Sequence, residues 1–329
     1  MSVDHYLPKP RLLLTRKLPP PVEQRAAQDY QVTLNHDDQP IGATDWLARS
    51  HAADALLCTP ADKLDAAVIA QLATSVRIIA TFSVGHEHID VAAATARGIA
   101  VTNTPDVLTD ATADIAMLLL LGAARRAAEG DALMRQRAWT GWAPTQMLGT
   151  HLCGKTLGIV GFGRIGQAVA RRAIAFGLQV HYLSRNWRDL ASVETHYHES
   201  ETTFWPACQF ISLHLPLTPA TRHYLNAARI ARLPRGAIVI NTARGDIVDD
   251  DALIDALTTG HLGAAGLDVY TGEPNFRPEY ARLKNTFLLP HLGSATHETR
   301  CAMGFRALDN LDQFFADGIP QDLIPAHKA

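Results

Sequence analysis

At 329 residues, 47% of them hydrophobic and 19% charged, the chain has the size and composition of about two ordinary globular domains, each able to bury a core. A formal net charge of −3 argues against a nucleic-acid partner, which would call for a basic face, and the longest apolar run, Ile115 to Ala124, is half the length of a bilayer span. The N-terminal MSVDHYLPKPR lacks the apolar core of a signal peptide, and Cys58, Cys153, Cys208 and Cys301 lie far apart without C-x-x-C spacing, so the expectation is a cytoplasmic protein with four buried, reduced thiols and no membrane contact.

Arg11 to Thr15 (RLLLT) predicts a first strand, and Pro19-Pro20-Pro21 marks the loop ahead of a short helix. Apolar runs at Ala55 to Cys58 and Ile78 to Phe82 predict further strands, with helical patterns around Asp45 to Arg49 and Asp62 to Leu72 between them. Ile99 to Val101 adds a short strand ending at Thr104-Pro105. Strands alternating with helices imply a parallel sheet covered on both faces. This first unit, roughly 1 to 104, carries no phosphate fingerprint. Pro105 fits the first position of a long helix with Thr104 as its N-cap. Its apolar residues continue through Met117, Leu118 and Leu121 to Arg125-Arg126, a pattern suited to a helix buried between domains. Asp131 to Arg137 extends the helical region, and Trp139-Thr140-Gly141-Trp142-Ala143-Pro144 breaks it.

The next stretch, Leu157 to Arg185 (LGIVGFGRIGQAVARRAIAFGLQVHYLSR), organises the chain. The apolar run Leu157 to Val160 enters Gly161-Phe162-Gly163-Arg164-Ile165-Gly166. A helical pattern then carries Val169, Ala170, Ala173 and Ile174 inward with Arg171 and Arg172 outward, and after Gly177 a second strand runs from Gln179 to Leu183. Strand, G-x-G-x-x-G, helix and strand in such a short span is the pattern of a dinucleotide site. Gly161 makes the tight turn, Gly163 lets backbone approach a pyrophosphate, and Gly166 allows close packing of helix on strand. The helix N-terminus presents unpaired N–H groups and a partial positive charge to the phosphates.

Apolar runs at Phe210 to Leu215, Ala237 to Thr242, Ala264 to Val269 and Phe287 to Leu289 continue the strand pattern, with helices between the first three, including Asp249 to Thr259 with Asp249 as N-cap. These strands end in polar residues or proline: His214-Leu215-Pro216, Asn241-Thr242-Ala243-Arg244, Asp268, Pro290-His291. Ligands of an open α/β sheet bind beyond the carboxyl ends of its strands. Arg244 in INTARG, Glu273 in LDVYTGEP and His291 in FLLPHLGSAT are therefore the candidate catalytic residues. Each alone has an ordinary structural explanation; all three at strand ends beside a dinucleotide fingerprint point to one site. A last helix, about Ala295 to Ala316, carries Met303, Leu308, Leu311 and Phe315 and is long enough to return to the first unit. The cofactor domain would then be an insertion with hinges near 104 and 293.

The blocks SVGHEHID, RGIAVTNTPDVLTDATADIAM, GKTLGIVGFGRIGQAVARR, HLPLTPATRHYLN, INTARGDIVDDDAL, AGLDVYTGEP and LLPHLGSAT occur in order over nearly the whole chain. They resemble the D-isomer-specific 2-hydroxyacid dehydrogenase family, and within it the glyoxylate/hydroxypyruvate reductases. The resemblance implies an α/β fold of two doubly wound parallel-sheet domains. A Rossmann cofactor domain, 105–293, is inserted in a flavodoxin-like substrate domain, 1–104 plus 294–329. It implies that His291 is the general acid of reduction and the base of the reverse reaction, that Glu273 stabilises its imidazolium, and that Arg244 holds the substrate carboxylate and carbonyl with a planar donor fork. The loop Ser83-Val84-Gly85 would bind the substrate carboxylate through the backbone of Val84 and Gly85. Asp268 matches a residue near the nicotinamide end of the cofactor. The implied cofactor contacts are Gly161, Gly163, Arg164, Ile165, Gly166, Ser184, Arg185, Leu215, Pro216, Thr221, Thr242, Ala243, Asp268, His291 and Gly293. His86-Glu87-His88 invites a metal reading, but alternating residues after a glycine turn fit a solvated stretch, and no metal is expected.

Where NAD-dependent relatives carry an acidic residue at the end of the second strand, this chain has Ser184, then Arg185 and Asn186, with Arg188 close by. A carboxylate would repel a 2′-phosphate, whereas a hydroxyl and a guanidinium would bind it, so NADP(H) is the expected cofactor and NAD(H) remains possible. The alternative is that Arg185 stacks on adenine, which NAD enzymes also allow. The segment Asp131 to Leu148, with Trp139 and Trp142, resembles the arm through which the family dimerises, and Trp142 is the candidate for a residue that reaches the partner's substrate site in a homodimer. The alternative is that both tryptophans cap their own domain. The implied activity is reduction of glyoxylate and hydroxypyruvate. A 2-ketogluconate or other 2-oxo-acid reductase is the nearest alternative. A phosphoglycerate dehydrogenase is less expected because the chain ends at residue 329 without a regulatory domain. A cofactor-sensing corepressor is the alternative from another class, and turnover of NADPH with a 2-oxo acid separates it from an enzyme.

Overall fold

The computed structural model describes residues 8–191 and 193–325. The expectation of a chain without a leader rests partly on residues 1–7, outside that range. The chain divides into two compact units, one formed up to Leu108 and again from Thr296, the other by Thr109–Ala295.

Along the first unit run β1 (Arg11–Leu14), α1 (Pro20–Asp29), β2 (Gln31–Thr33), α2 (Ala43–Ser50), β3 (Ala55–Cys58), α3 (Ala66–Gln71), β4 (Ile78–Thr81), α4 (Val91–Ala96) and β5 (Ala100–Thr102). The strands pair in parallel in the order β2-β1-β3-β4-β5, the flavodoxin winding. β3 and β4 are buried at every residue, as central parallel strands covered on both faces must be. β2 is a short edge whose Gln31 and Thr33 are exposed, so it lacks the apolar run that would have predicted it. The helix expected from Asp62 begins only at Ala66. Asp65 caps it by accepting from Val68 N, whereas Asp62 is buried and accepts from the Thr15 hydroxyl at 2.5 Å and Thr59 N at 2.8 Å. A carboxylate bound up in that turn cannot open a helix.

The second unit holds α5 (Thr109–Ala124), α6 (Ala127–Arg135), β6 (Thr156–Val160), α7 (Arg164–Ala175), β7 (Gln179–Leu183), β8 (His196–His198), α8 (Glu201–Ala207), β9 (Phe210–Leu213), α9 (Ala227–Ile230), β10 (Ala237–Asn241), α10 (Asp250–Thr258), β11 (Leu262–Leu267), α11 (Pro278–Arg282) and β12 (Thr286–Leu288). Its seven strands are parallel in the order β12-β11-β10-β9-β6-β7-β8, so the strand order reverses at β6 and β9, where a Rossmann sheet takes its ligand. The long helix does not start at Pro105. Asp106 adopts φ +72°, which a helix excludes, and the helix begins at Thr109. Thr104 does not cap it, and its hydroxyl is buried without a hydrogen-bond partner among the described residues. Leu118, expected to face inward, is 45% exposed. The 3.6-residue period places it with Asp114 and Arg125 on the outer face, while Ala113, Ala116, Met117 and Leu120 are buried. The helical region is interrupted at Arg126, whose φ of +57° separates α5 from α6. Of the helix-facing residues on α7, Val169, Ala170 and Ala173 are buried and Ile174 is half-buried, and Arg172 is tied to Asp110 and Asp114 rather than left in water.

The chain then returns to the first unit through α12 (His297–Asp317), capped by Thr296 and buried along Met303, Leu308 and Leu311. Cys58 and Cys208 are buried as expected, but Cys153 is exposed and Cys301 half-buried. Cys153 lies in the turn ahead of β6, beside Gly154, with its side chain against Gly177, which has no side chain to cover it. Among the described residues no helix is long and apolar enough to cross a membrane.

Candidate active site

β6 delivers the chain into Gly161, whose φ is +90° and whose added Cβ would lie 2.5 Å from the His214 carbonyl oxygen, so no other residue fits. Gly161 N donates to Leu183 O at 2.9 Å, tying the loop to the end of β7. A Cβ on Gly166 would meet Gly161 O at 2.3 Å, which is how closely the first turn of α7 lies on the loop. A Cβ on Gly163 would meet no atom of the described residues within 4 Å. The space beside the α7 N-terminus is open, and a side chain at that position would fill it. Exposed Arg164 and half-buried Ile165 begin the helix there. A loop that approaches bare, backed by a helix N-terminus, fits a dinucleotide pyrophosphate. Thr242, directly after β10, contributes a buried hydroxyl without a hydrogen-bond partner among the described residues.

At the carboxyl ends of β11 and β12 two loops meet. His291 Nδ1 donates to Glu273 Oε2 at 2.8 Å, and Glu273 Oε1 accepts from Tyr270 N at 2.7 Å. An ionised carboxylate only accepts, so the Nδ1 proton is fixed and Nε2 is left as the nitrogen that can exchange a proton. Burial works against the Glu273 carboxylate. The hydrogen bond and charge of His291, the Tyr270 N–H and the charge of Arg244 outweigh it and hold the Glu273 carboxyl below the usual carboxylate range. Asp268 is buried; desolvation is the largest influence and raises its pKa, against hydrogen bonds from Leu292 N at 2.6 Å and Gly293 N at 2.8 Å. Its backbone oxygen also accepts from His291 N at 2.9 Å. Asp268 thereby shapes the turn that carries the imidazole. Arg244 is half-buried and donates to Ala243 O at 2.7 Å.

Two residues that hold this arrangement escaped sequence reasoning. Asn241, buried at the end of β10, accepts from Ala243 N and donates to Arg244 O at 2.8 Å, so its amide shapes the turn bearing the guanidinium. Gly245 follows, and a Cβ there would fall 1.9 Å from the Tyr270 carbonyl carbon. Only glycine lets the Arg244 loop press against the loop of Tyr270 and Glu273. The available signal was a strand-end asparagine and a glycine flanking the arginine in INTARG.

The other predicted positions are placed as follows. Ser184 ends β7 and donates its hydroxyl to Asn186 O at 2.5 Å, while Arg185 is exposed without a hydrogen-bond or ion-pair partner among the described residues. Arg188 is held through its backbone by the Tyr182 hydroxyl. Leu215 is half-buried and lies 3.1 Å from the Cβ position of Gly161. Thr221 donates to Pro216 O at 2.6 Å and accepts from Thr218 N, shaping the loop after β9. Half-buried His214, pushed down to about 4 by burial and therefore neutral, bonds Ser212 at 2.8 Å beneath that loop. Gly293 is buried and accepts from the Thr112 hydroxyl at 3.0 Å. In the first unit, the Ser83 hydroxyl donates to Gly85 O at 2.6 Å and Asn103 donates to Val84 O at 2.8 Å, which fixes the backbone of that loop. The His88 ring bonds the Thr81 hydroxyl at 2.9 Å. Trp142 is 80% exposed and Trp139 50%.

Residues 117–293 match the family model described as D-isomer specific 2-hydroxyacid dehydrogenase, NAD binding domain. The chain is 44% identical to the glycerate dehydrogenase of Hyphomicrobium methylovorum, over 93% of this chain and 96% of that one. It is 44% identical to the glyoxylate reductase of Thermococcus litoralis, over 96% of this chain and 97% of that one. Among solved structures it is similar, with a TM-score of 0.86 and 34% identity over 96% of this chain and 97% of the other, to the NADPH-dependent glyoxylate/hydroxypyruvate reductase of Sinorhizobium meliloti in complex with NADP and malonate.

Proposed function

The chain belongs to the D-isomer specific 2-hydroxyacid dehydrogenase family and is an NAD(P)-dependent enzyme, and from that premise we propose that it is an NADPH-preferring reductase of small 2-oxo acids, glyoxylate and hydroxypyruvate, forming D-2-hydroxy acids. The relatives named glyoxylate reductase, glycerate dehydrogenase and glyoxylate/hydroxypyruvate reductase support the substrate class. The observation that carries the chemistry is the 2.8 Å bond between His291 and Glu273 at the strand ends of a dinucleotide-binding sheet.

Gly161, Gly163, Arg164, Ile165 and Gly166 would hold the pyrophosphate, with Leu215, Pro216, Thr221, Thr242, Ala243, Asp268 and Gly293 along the nicotinamide half. A bound reduced nicotinamide supplies a hydride to the 2-oxo carbon. His291 holds a proton at Nε2 and releases it to the substrate oxygen as that oxygen gains charge. Glu273 keeps the imidazole oriented by accepting the hydrogen bond from its Nδ1. Arg244 binds the carboxylate and polarises the carbonyl.

NADPH preference rests on Arg185. The Ser184 hydroxyl already donates to Asn186 O, so the Arg185 guanidinium, without a partner among the described residues, is the main attraction for a 2′-phosphate. Hydrogen bonds to charged groups are worth about 1.5–3 kcal/mol, roughly a ten- to hundredfold preference. In a steady-state panel of 2-oxo acids, kcat/KM with NADPH should exceed that with NADH at least tenfold. Ser184→Asp combined with Arg185→Ala should reverse the order. Equal use of both cofactors by the unmodified enzyme would exclude Arg185 as the phosphate contact.

A further inference from the structure

The turn after β7 presents an aromatic ring that neither the core nor the catalytic set uses. Trp187 is 65% exposed, whereas Trp46 and Trp205 are buried. A large aromatic left in water forgoes the hydrophobic gain of burial, so an exposed one beside a binding loop points to something that covers it. The turn itself is held from several sides. The Tyr182 hydroxyl donates to Arg188 O at 2.9 Å and accepts from Arg188 N at 3.0 Å, and the Tyr197 hydroxyl donates to Ser184 O at 3.3 Å. Tyr182 in turn stacks on Phe162 of the fingerprint loop, with ring centroids 3.9 Å apart and planes 14° from parallel. Gly161 N donates to Leu183 O at 2.9 Å. Residues 184–188 are thus fastened to the phosphate-binding loop, and they leave the side chains of Arg185, Trp187 and Arg188 with no stacking or ionic partner among the described residues.

In a sheet of this winding the adenosine of a dinucleotide lies beyond the end of the strand that follows the fingerprint helix, which here is β7. We propose that Trp187 stacks on the adenine ring of the cofactor, so that the indole recognises the base while Arg185 recognises the 2′-phosphate. This rests on the reading of the fingerprint as a dinucleotide site. It assigns the base to a residue other than Arg185 and separates adenosine recognition into two independent parts. The stacking part is common to NAD(H) and NADP(H), because a flat base offers the same face in both. The charge part belongs to NADP(H) alone. Trp187 would therefore set affinity for both cofactors and leave the choice between them untouched.

Binding of 5′-AMP and 2′,5′-ADP, which carry the adenosine without the nicotinamide, tests this by calorimetry and by tryptophan fluorescence. Trp187→Ala should weaken both ligands by about tenfold, or about 1.4 kcal/mol, in the range of base–aromatic stacking, with the ratio between them unchanged. Trp187→Phe should restore most of that affinity. Titration with 5′-AMP should quench an emission component that the Trp187→Phe protein lacks. Unchanged affinity for both ligands in Trp187→Ala overturns the proposal. So does a loss confined to 2′,5′-ADP, and so does a loss that Trp187→Phe reproduces in full. Arg185→Ala is the companion variant and should weaken 2′,5′-ADP alone. If it does not, the phosphate assignment fails while the stacking result stands; if the unmodified protein binds neither ligand, the dinucleotide reading and this proposal both fall.

Discussion

A left-handed backbone at His291, φ +56°, is uncommon for a residue with a side chain, and Asp268 accounts for its persistence. The Asp268 carboxylate takes the N–H groups of Leu292 and Gly293, and its carbonyl takes that of His291. The imidazole is presented from a turn held at three points and oriented from behind by Glu273. His291→Ala should lower turnover by about a hundredfold or more, as loss of a positioned general acid does; near-full activity in that variant would remove His291 from the mechanism. Reduction consumes the His291 proton, so it should slow in alkaline solution while oxidation of the hydroxy acid gains. The Glu273 carboxyl is held below the usual carboxylate range, so its charge is present above that range and is lost only as pH falls through the lowered folded value. Reduction should therefore persist into mildly acidic solution. Glu273→Gln should move the alkaline fall in reduction to lower pH, and a pH profile identical to that of the unmodified enzyme would exclude an electrostatic role for Glu273.

Between elements, the cofactor unit is held by a polar clamp as well as by its sheet. Glu201, at the start of α8, accepts from both Arg229 Nε and Nη2 at 2.9 and 2.8 Å, from the Tyr224 hydroxyl at 2.9 Å and from Trp205 Nε1 at 3.2 Å. Arg229 also lies over the Tyr224 ring, 4.0 Å from its centroid. The hydrogen bond from Arg229 is the main reason the Glu201 carboxyl is lowered to about 2. A depressed folded value means that the stabilisation is complete above the unfolded carboxylate pKa and disappears as pH falls towards about 2. Glu201→Gln should lower unfolding stability at pH 7 by about 2 kcal/mol, allowing for the partial exposure of the pair. Urea unfolding of both proteins checks this: the difference should shrink on acidification, and a pH-independent difference would show that packing, not charge, is lost.

At the scale of the whole molecule, the last turn of α6 and the segment after it leave Met134 59%, Trp139 50%, Trp142 80% and Leu148 66% exposed. Several large apolar side chains clustered on one segment suit an interface better than a surface in water. We expect a homodimer assembled through the arm at about 131–148, with Trp142 reaching the partner's substrate site. Sedimentation at micromolar concentration should show the dimer, and Trp142→Ala should weaken it and raise the substrate KM; a monomer at that concentration would refute the assembly.

The glycine fingerprint, the alternation of strands and helices, and the strand ends bearing Arg244, Asp268 and His291 were legible in the chain itself. Each depends on residues close in sequence: a turn that only Gly161 can make, an apolar run, a polar residue just past it. Tertiary structure decided what holds those residues in place. Gly245 is needed only because the Tyr270 loop presses on it, and Asn241 matters because its amide closes the Arg244 turn. The edge strands β2 and β8 have no apolar run to announce them and exist because a neighbouring strand offers its backbone. Asp106 stops the long helix from starting at Pro105, because its backbone is left-handed at φ +72°. Local patterning determines which residues form elements and where chemistry gathers; contacts between segments distant in sequence determine the approach distances, because no side chain records how near another loop will come.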